Sequence, residues 1–339
     1  MSFVMEKNAL NSLISSFRKK GYEVYGPVHK GPEFVFGSVN QDSDLALDYV
    51  TTILSPRKFL YPPSEKLFSF SSKSFVTDES SNGVGKQAIL AVHPCDLSAI
   101  SFLDKVRVSG TFEDPKYKQR RDNTLVVGMN CSKAGGECFC TSFGTGPDAK
   151  QGFDLLLTDL GDRYLVETGS EAGKAIAADL KLKKASPADS QEKDKRTKTV
   201  RQSIKRAINT DGLPKVLDKN FNNDLWAKLK DDCLSCGSCT TVCPTCFCFN
   251  VIDNVGFSLT DGERIRNWDS CQLFEFGQVA LGGNFRKERD ARVKQWIYHK
   301  LNYSQLQYGS FGCVGCGRCI KSCTKGIDVT DVVKKIQTA

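Results

Sequence analysis

The sequence predicts an α/β or α+β N-terminal domain, a charged linker, and a cysteine-rich α-helical C-terminal domain. Three observations carry this. Over residues 1 to about 180, short apolar β-rich runs alternate with helical patterns. Dense Lys, Asp and Glu, with Ser186, Pro187 and Ser190, mark residues 181–205 as a linker. From 206 to 339, two compact cysteine blocks stand some seventy residues apart, around an insertion at about 250–305.

The first element is a short amphipathic helix, with Leu10, Leu13, Ile14 and Phe17 on one face. "YEVYGPVHKGPEFVFGSV" follows as a hairpin. "QAILAV" (87–92) and "TLVVGM" (124–129) are apolar runs bounded by polar residues, as buried strands should be. "DLSAISFLDKVRV", between them, has helical spacing, so the order is strand–helix–strand and favours a parallel pair with a crossover. "FDLLLTDL" and "RYLVET", separated by Gly161 and Asp162, form a second hairpin. A helix over 220–231, containing Leu225, Trp226 and Leu229, opens the cysteine-rich segment.

A chain of 339 residues has room for two or three domains. At 40% hydrophobic and 25% charged residues it reads as globular. No apolar run approaches the roughly eighteen residues of a membrane span. The N-terminus lacks the pattern of a signal peptide, so the expected location is the cytoplasm. That compartment keeps thiols reduced, so fifteen cysteines point to metal ligation rather than disulfides. The net charge of +8 comes without an aromatic platform or groove-reading motif, and no nucleic-acid partner is expected.

Cys233, Cys236, Cys239 and Cys243 have the spacing C-x2-C-x2-C-x3-C, followed by Pro244. Cys313, Cys316, Cys319 and Cys323 repeat it, with Thr324 in place of the proline. Two-residue gaps wrap three thiolates around one corner of a cubane, and Gly237, Gly315 and Gly317 ease the turns. In two-cluster ferredoxins the fourth cysteine of each block serves the other cluster. One [4Fe–4S] cluster is therefore assigned to Cys233, Cys236, Cys239 and Cys323, and a second to Cys313, Cys316, Cys319 and Cys243. The C-terminal domain then has a ferredoxin-like core. Structural zinc is the competing reading, but zinc usually takes its four ligands as two pairs.

Cys95 follows the strand 87–92, and Cys131 follows the strand 124–129. If those strands are parallel neighbours, both thiols emerge at the carboxyl edge of the sheet, where open α/β sheets place ligand sites. Cys138 and Cys140, in "AGGECFC", lie on a glycine-loosened loop able to reach the same edge. A third [4Fe–4S] cluster is expected on Cys95, Cys131, Cys138 and Cys140. Zinc on the same four residues, or inert buried thiols, are the alternatives. His93 is expected in a structural or electrostatic role.

Cys246, Cys248 and Cys271 remain, either as inert thiols or as a reactive trio. "GSEAGK" (169–174) lacks the spacing of a phosphate loop. "LGGNFRKERDAR" suits either an acidic partner surface or a solvated helix start. With only three histidines, imidazole acid–base catalysis has little to work with.

Several stretches carry a family resemblance: "SPRKFLYPPSEKLF", "HPCDLSAI", "CFCTSFGTGPDAKQGFDLLLTDLGDRYLVETGSEAG", "CLSCGSCTTVCPTCFCF", "RIRNWDSC" and "CVGCGRCI". The chain resembles the [4Fe–4S] dicluster subunits typified by the beta subunit of cytoplasmic sulfhydrogenases. It is similar to the A subunit of anaerobic sulfite reductase and to iron–sulfur subunits of heterodisulfide-reductase-type complexes. The resemblance implies an electron carrier between a flavoprotein partner of the NAD(P)H or ferredoxin-reductase type and a catalytic redox subunit. It adds support to the third cluster, and it includes the "CPTCFC" tail without giving that tail a role.

The leading reading is an iron–sulfur electron-transfer subunit without a catalytic centre of its own. The alternatives are a subunit that reduces a sulfur substrate, sulfite or polysulfide, at the N-terminal cluster, and a zinc-stabilised interaction module.

Overall fold

The structure is a computed structural model that describes residues 1–72, 74–76 and 85–339. The chain divides into two units interleaved in sequence. One comprises Met1–Pro56, Gly85–Asp211 and Cys313–Arg318; the other comprises Arg57–Val84, Gly212–Gly312 and Cys319–Ala339. Composition suggests consecutive domains instead, because long-range pairing leaves no local trace in a sequence.

The first unit is built on an eight-stranded mixed sheet. Its strands run in the order Lys183–Lys184, Ser2–Glu6, Arg163–Thr168, Leu155–Asp159, Thr124–Met129, Gln87–Val92, Glu23–Lys30 and Glu33–Ser38. Gln87–Val92 and Thr124–Met129 are parallel, and every residue of both is buried. Their unbroken apolar runs are what a strand covered on both faces requires. Glu23–Lys30 and Leu155–Asp159 flank them in parallel. Both expected hairpins form, Glu23–Lys30 with Glu33–Ser38 and Leu155–Asp159 with Arg163–Thr168. The crossover between the central strands is the helix Pro94–Arg107.

The N-terminal helix runs Leu10–Lys19 and buries Leu10, Leu13, Ile14 and Phe17 in the main core. Before it, Ser2–Glu6 is a strand paired with Arg163–Thr168, which its short apolar pattern did not announce. The "GSEAGK" stretch is a helix start: the Ser170 hydroxyl accepts from the Gly173 amide, 3.1 Å away. A Cβ at Gly173 would lie 1.9 Å from the Asp154 carbonyl oxygen, so close packing explains this glycine.

The charged run expected to be a linker is instead the helix Pro187–Ser203. Ser186 and Asp189 form a reciprocal capping box, and Pro187 occupies the first turn. Arg163 donates to Asp189 at 2.7 Å. Only Asp189 and Val200 of the helix are buried, so capping and ion pairing organise it with little help from apolar surface.

The second unit corrects the expectation of an all-helical C-terminal domain. It contains an antiparallel four-stranded sheet in the order Phe249–Val255, Asp261–Trp268, Ser64–Ser71 and Phe75–Val76. The strand Ser64–Ser71 thus leaves the N-terminal part of the sequence to pair with Asp261–Trp268. Arg266 pairs with Glu65 across this register, both largely buried. The expected helix over 220–231 is the shorter Leu225–Asp232, and a separate helix, Leu213–Lys219, precedes it; the two bury Leu213, Leu217, Trp226 and Leu229. Trp226 and Phe221 meet Tyr298 edge-on, with centroids 5.6 and 5.4 Å away. Among the described residues no helix is long and apolar enough to cross a membrane.

Candidate metal centres

In the second unit, Cys233 follows the helix Leu225–Asp232, and the short helix Ser238–Thr241 carries Cys239. Gly237, at φ +76°, makes the turn between them, and a Cβ there would lie 3.2 Å from Ser270 Oγ. Cys323 of the second block joins this group. Cys233, Cys236, Cys239 and Cys323 line one cavity, together with Cys319 of the second block, Gln272, Val293 and Trp296. Burial and the neighbouring Cys233, Cys243, Cys236 and Cys323 push the Cys239 thiol up to about 12. Thiols crowded this way oppose one another's ionisation, and a cationic iron core between them reverses the effect. The donor set therefore fits a cluster.

Backbone amides already point at the sulfurs. Ser235 N–H donates to Cys233 Sγ and Ile327 N–H to Cys323 Sγ, both at 3.3 Å. Gly315 N–H donates to Cys313 Sγ at 3.5 Å. Hydrogen bonds to sulfur are among the factors that set cluster potential. Cys236 is exposed; its thiol is shifted down by the hydrogen bond with Ser238, whose Oγ lies 3.3 Å away.

In the first unit, Cys95 sits in the first turn of Pro94–Arg107, and Cys131 follows Thr124–Met129. The two strands are parallel neighbours, with Val92 opposite Gly128, so both cysteines leave the same sheet edge. The loop bearing Cys138 and Cys140 folds back to that edge: Cys131 N–H donates to the Pro147 carbonyl at 3.0 Å. A Cβ on Gly146 would lie 2.9 Å from Cys140 Sγ. Burial and then the thiols of Cys140 and Cys138 drive Cys131 well above its ordinary value. Burial and then Cys138 raise Cys140 to about 12. All four sequence-selected thiols are thus brought within electrostatic reach of at least one other.

A fifth thiol, Cys316, stands beside them, which the spacing of its own block did not reveal. It is buried with Ala99 and Val314, and Cys95 packs against this cluster. Phe139 N–H donates to the Gly315 carbonyl at 2.9 Å, and Thr145 Oγ1 to the Val314 carbonyl at 2.7 Å. The signal was the glycine on each side of Cys316. A Cβ on Gly315 would lie 2.6 Å from Cys140 Cα, and one on Gly317 would lie 2.4 Å from the Glu137 carbonyl oxygen. Arg318 is clamped to Asp96 at 2.7 Å from both terminal nitrogens, and its Nε donates to the Thr52 carbonyl at 2.9 Å.

His93 is a structural residue. It stacks on Tyr49 with centroids 3.9 Å apart, and Nδ1 lies 3.1 Å from the Val50 carbonyl. Burial lowers its value to about 4, leaving the ring neutral near pH 7.

The four thiols assigned to the second ferredoxin-type cluster divide between the units: Cys313 and Cys316 belong to the first, Cys243 and Cys319 to the second. Cys243 Sγ lies 3.2 Å from Thr245 Oγ1, within hydrogen-bonding distance. Among the described residues, no group of three or more His, Cys, Asp or Glu is arranged to hold a single metal ion. The thiols of the first quartet surround a cavity instead.

A family model described as a 4Fe-4S dicluster domain matches residues 232–327. The chain is 37% identical over 326 residues to the sulfhydrogenase 2 subunit beta of Pyrococcus furiosus, an alignment covering 93% of this chain and 92% of that protein. No solved structure shows significant similarity. With its dicluster domain and full-length likeness, the chain belongs to the family of sulfhydrogenase beta subunits.

Proposed function

We propose that this chain is an electron-transfer subunit, relaying electrons between a partner that handles flavin and NAD(P)H and a partner that performs the terminal redox reaction. The observation that carries the reading is the cavity where Cys319 and Cys323 of the second block join Cys233, Cys236 and Cys239 of the first. Two blocks separated in sequence thereby converge, as crossed ferredoxin ligation requires. We assign Cys233, Cys236, Cys239 and Cys323 to one [4Fe–4S] cluster. By spacing, Cys313, Cys316, Cys319 and Cys243 take a second. The sheet-edge quartet Cys95, Cys131, Cys138 and Cys140 takes a third.

Such clusters, when bound, supply one-electron carriers whose potentials depend on charge, exposure and hydrogen bonds to sulfur. The chain supplies those determinants through the amides of Ser235, Gly315 and Ile327 and through burial. The relative's name supports a hydrogenase-type catalytic partner, since that protein is the beta subunit of a sulfhydrogenase.

The test is anaerobic purification of the native complex, with iron and sulfide analysis and identification of the co-purifying chains. The isolated chain should then pass electrons from a reduced flavoprotein to a dye without turning over hydrogen, sulfite or polysulfide. Turnover by the isolated chain would replace this reading with a catalytic one.

A further inference from the structure

Beside the cavity of the first quartet lies a buried guanidinium. Arg292 is 6% exposed and sits in the helix Arg289–Tyr298, whose Val293 and Trp296 line that cavity. Four of its five N–H groups are engaged, all with neutral acceptors. Nε donates to the Gln272 carbonyl at 3.0 Å, Nη1 to the carbonyls of Arg286 and Lys287, and Nη2 to Ser235 Oγ at 3.3 Å. Among the described residues no carboxylate pairs with it. The nearest acidic residues in sequence are engaged elsewhere: Glu288 pairs with Lys230 at 3.3 Å, and Asp290 accepts from the Ala291 amide at 2.8 Å. A guanidinium keeps its proton, so its burial calls for an anion.

The contacts of Arg292 lead to the ligands. Ser235 lies between Cys233 and Cys236 at φ +52°, a left-handed conformation that a residue other than glycine keeps only when its surroundings hold it there. Arg292 holds the Ser235 hydroxyl, while the Ser235 amide donates to Cys233 Sγ at 3.3 Å. Gln272 is 1% exposed and lines the cavity. Arg292 holds its carbonyl, its amide donates to Ser270 Oγ at 3.1 Å, and its Oε1 lies 4.0 Å from Cys233 Sγ. Its Nε2 has no acceptor among the described residues. A ligating thiolate has no proton to give to Oε1, so the amino end of this carboxamide is the one that serves a cluster sulfur. Lys300 offers a comparison. It is 6% exposed and donates to Thr245 Oγ1 at 2.8 Å, an atom 3.2 Å from Cys243 Sγ, the thiol assigned to the other ferredoxin-type centre.

We propose that Arg292 and Gln272 are the positioning residues of the [4Fe–4S] cluster held by Cys233, Cys236, Cys239 and Cys323: Arg292 supplies its counter-charge and fixes Ser235, and Gln272 donates an N–H to sulfur. The inference rests on the cluster assignment above and adds which side chains set the potential. A cubane with four thiolates is anionic, and taking up one electron adds negative charge while no bond to the chain forms or breaks. The buried guanidinium therefore favours the reduced form and raises the midpoint potential. An N–H directed at sulfur acts in the same direction, since it too is worth more as the sulfur gains charge.

The experiment uses the full-length chain, reconstituted anaerobically. Each centre is followed by EPR redox titration, with iron measured per chain. Cys323→Ser identifies the signal of the first quartet by removing it. In Arg292→Met that centre should keep its iron, and its ratio of reduced to oxidised form at a fixed potential should fall about tenfold, about 59 mV for one electron. Arg292→Lys keeps the charge and loses the planar fork, so it should restore most of the shift. Gln272→Leu should move the same signal in the same direction. An unmoved potential in Arg292→Met at full iron overturns the proposal, and so does a shift that Arg292→Lys fails to reverse. An equal shift of this signal in Lys300→Met also overturns it, because the field would then belong to the whole unit. If Arg292→Met does not load iron, Gln272→Leu takes its place, and an unmoved potential there overturns the proposal. If both neutral variants lose the cluster, Arg292→Lys must still load it fully; loss there too assigns Arg292 to the fold and overturns the counter-charge. Unchanged iron in Cys323→Ser is a different failure. It would mean that the quartet holds no cluster, and the cluster assignment would fall before any Arg292 variant is read.

Discussion

Arg318 grips Asp96 through both terminal nitrogens at 2.7 Å, across 222 residues of sequence. The two side chains are 3% and 1% exposed. Burial works against the Arg318 charge, and the Asp96 carboxylate more than offsets it, leaving the guanidinium well above its usual value. Each partner neighbours a cysteine-bearing turn: Asp96 follows Cys95, and Arg318 precedes Cys319. The pair therefore fixes the segment Cys313–Arg318 against the sheet edge of its own unit.

Removing one member leaves the other charged and buried. Arg318→Met should cost about 3–5 kcal/mol. The double change Asp96→Leu with Arg318→Met should recover much of that loss, since no charge is stranded. Anaerobic urea titration followed by intrinsic fluorescence measures both. A single variant within about 1 kcal/mol of wild type would mean the pair behaves like an exposed one.

Cys323→Ser should disturb the cluster of the first block and spare that of its own block. The physical reason is that Cys323 lines one cavity with Cys233, Cys236 and Cys239, and of the two second-block thiols on that cavity the ferredoxin spacing sends the fourth, Cys323, across and keeps Cys319 with its own block. EPR of the reduced protein separates the two, and iron should fall by about four per chain when the cubane is lost. Loss confined to the block Cys313–Cys319 would reverse the crossed assignment.

The legible part of this fold was local. Buried strands such as Gln87–Val92, both hairpins and the face Leu10–Phe17 follow from apolar runs, alternation and turn residues. That Cys95 and Cys131 leave the same sheet edge was also readable, because strand–helix–strand order fixes which strand ends lie together. Three things were not. The helix Pro187–Ser203 has almost no apolar face, so composition hid what capping made. The strand Ser64–Ser71 owes its partner to residues two hundred positions away, and no local pattern encodes that register. Cys316 showed its ferredoxin spacing but not its packing against Cys95, which depends on glycines that let two backbones touch.

Asp189 gives a pH-dependent prediction. Hydrogen bonds from the Ser186 hydroxyl and amide, then from Arg163, lower its value from 3.8 to about 2. A depressed carboxylate contributes stability that is complete above its unfolded value and disappears as pH falls through its folded one. Hydrogen exchange should show protection of residues 187–203 falling between pH 3.8 and about 2. Asp189→Asn should begin with weaker protection and show no such step. Equal protection in both proteins across that window would remove the carboxylate from the account.

Lys300→Met should lower the midpoint potential of the centre nearest Lys300 without removing iron. Reduction adds negative charge, and a buried ammonium favours the reduced form, so its loss makes reduction harder. The flexible, unbranched Met side chain fills most of the space of the lysine stem, limiting cavity effects. Redox titration monitored by EPR measures the shift, and iron analysis separates it from cluster loss. An unchanged potential with full iron would show that the ammonium exerts no field on a redox centre.

Cys138→Ser tests the sheet-edge quartet. Cys138 lies on the loop that Gly135 and Gly146 fold tightly: its amide donates to the Gly135 carbonyl at 3.1 Å. Its side chain is partly exposed and belongs to no apolar core cluster described for the first unit. Serine changes one atom there, so the expected cost to folding is small, within the range of about 0.5 kcal/mol for positions away from core and networks. A ligand role predicts a much larger consequence: one cubane, about four irons, lost with the ferredoxin-type signals intact. A structural thiol predicts neither loss. Thermal unfolding of the metal-free chain, compared with that of wild type, checks the first statement, and iron analysis of the reconstituted chain checks the second. Unaltered iron alongside unaltered unfolding would return Cys138, and with it the third cluster, to the class of inert thiols.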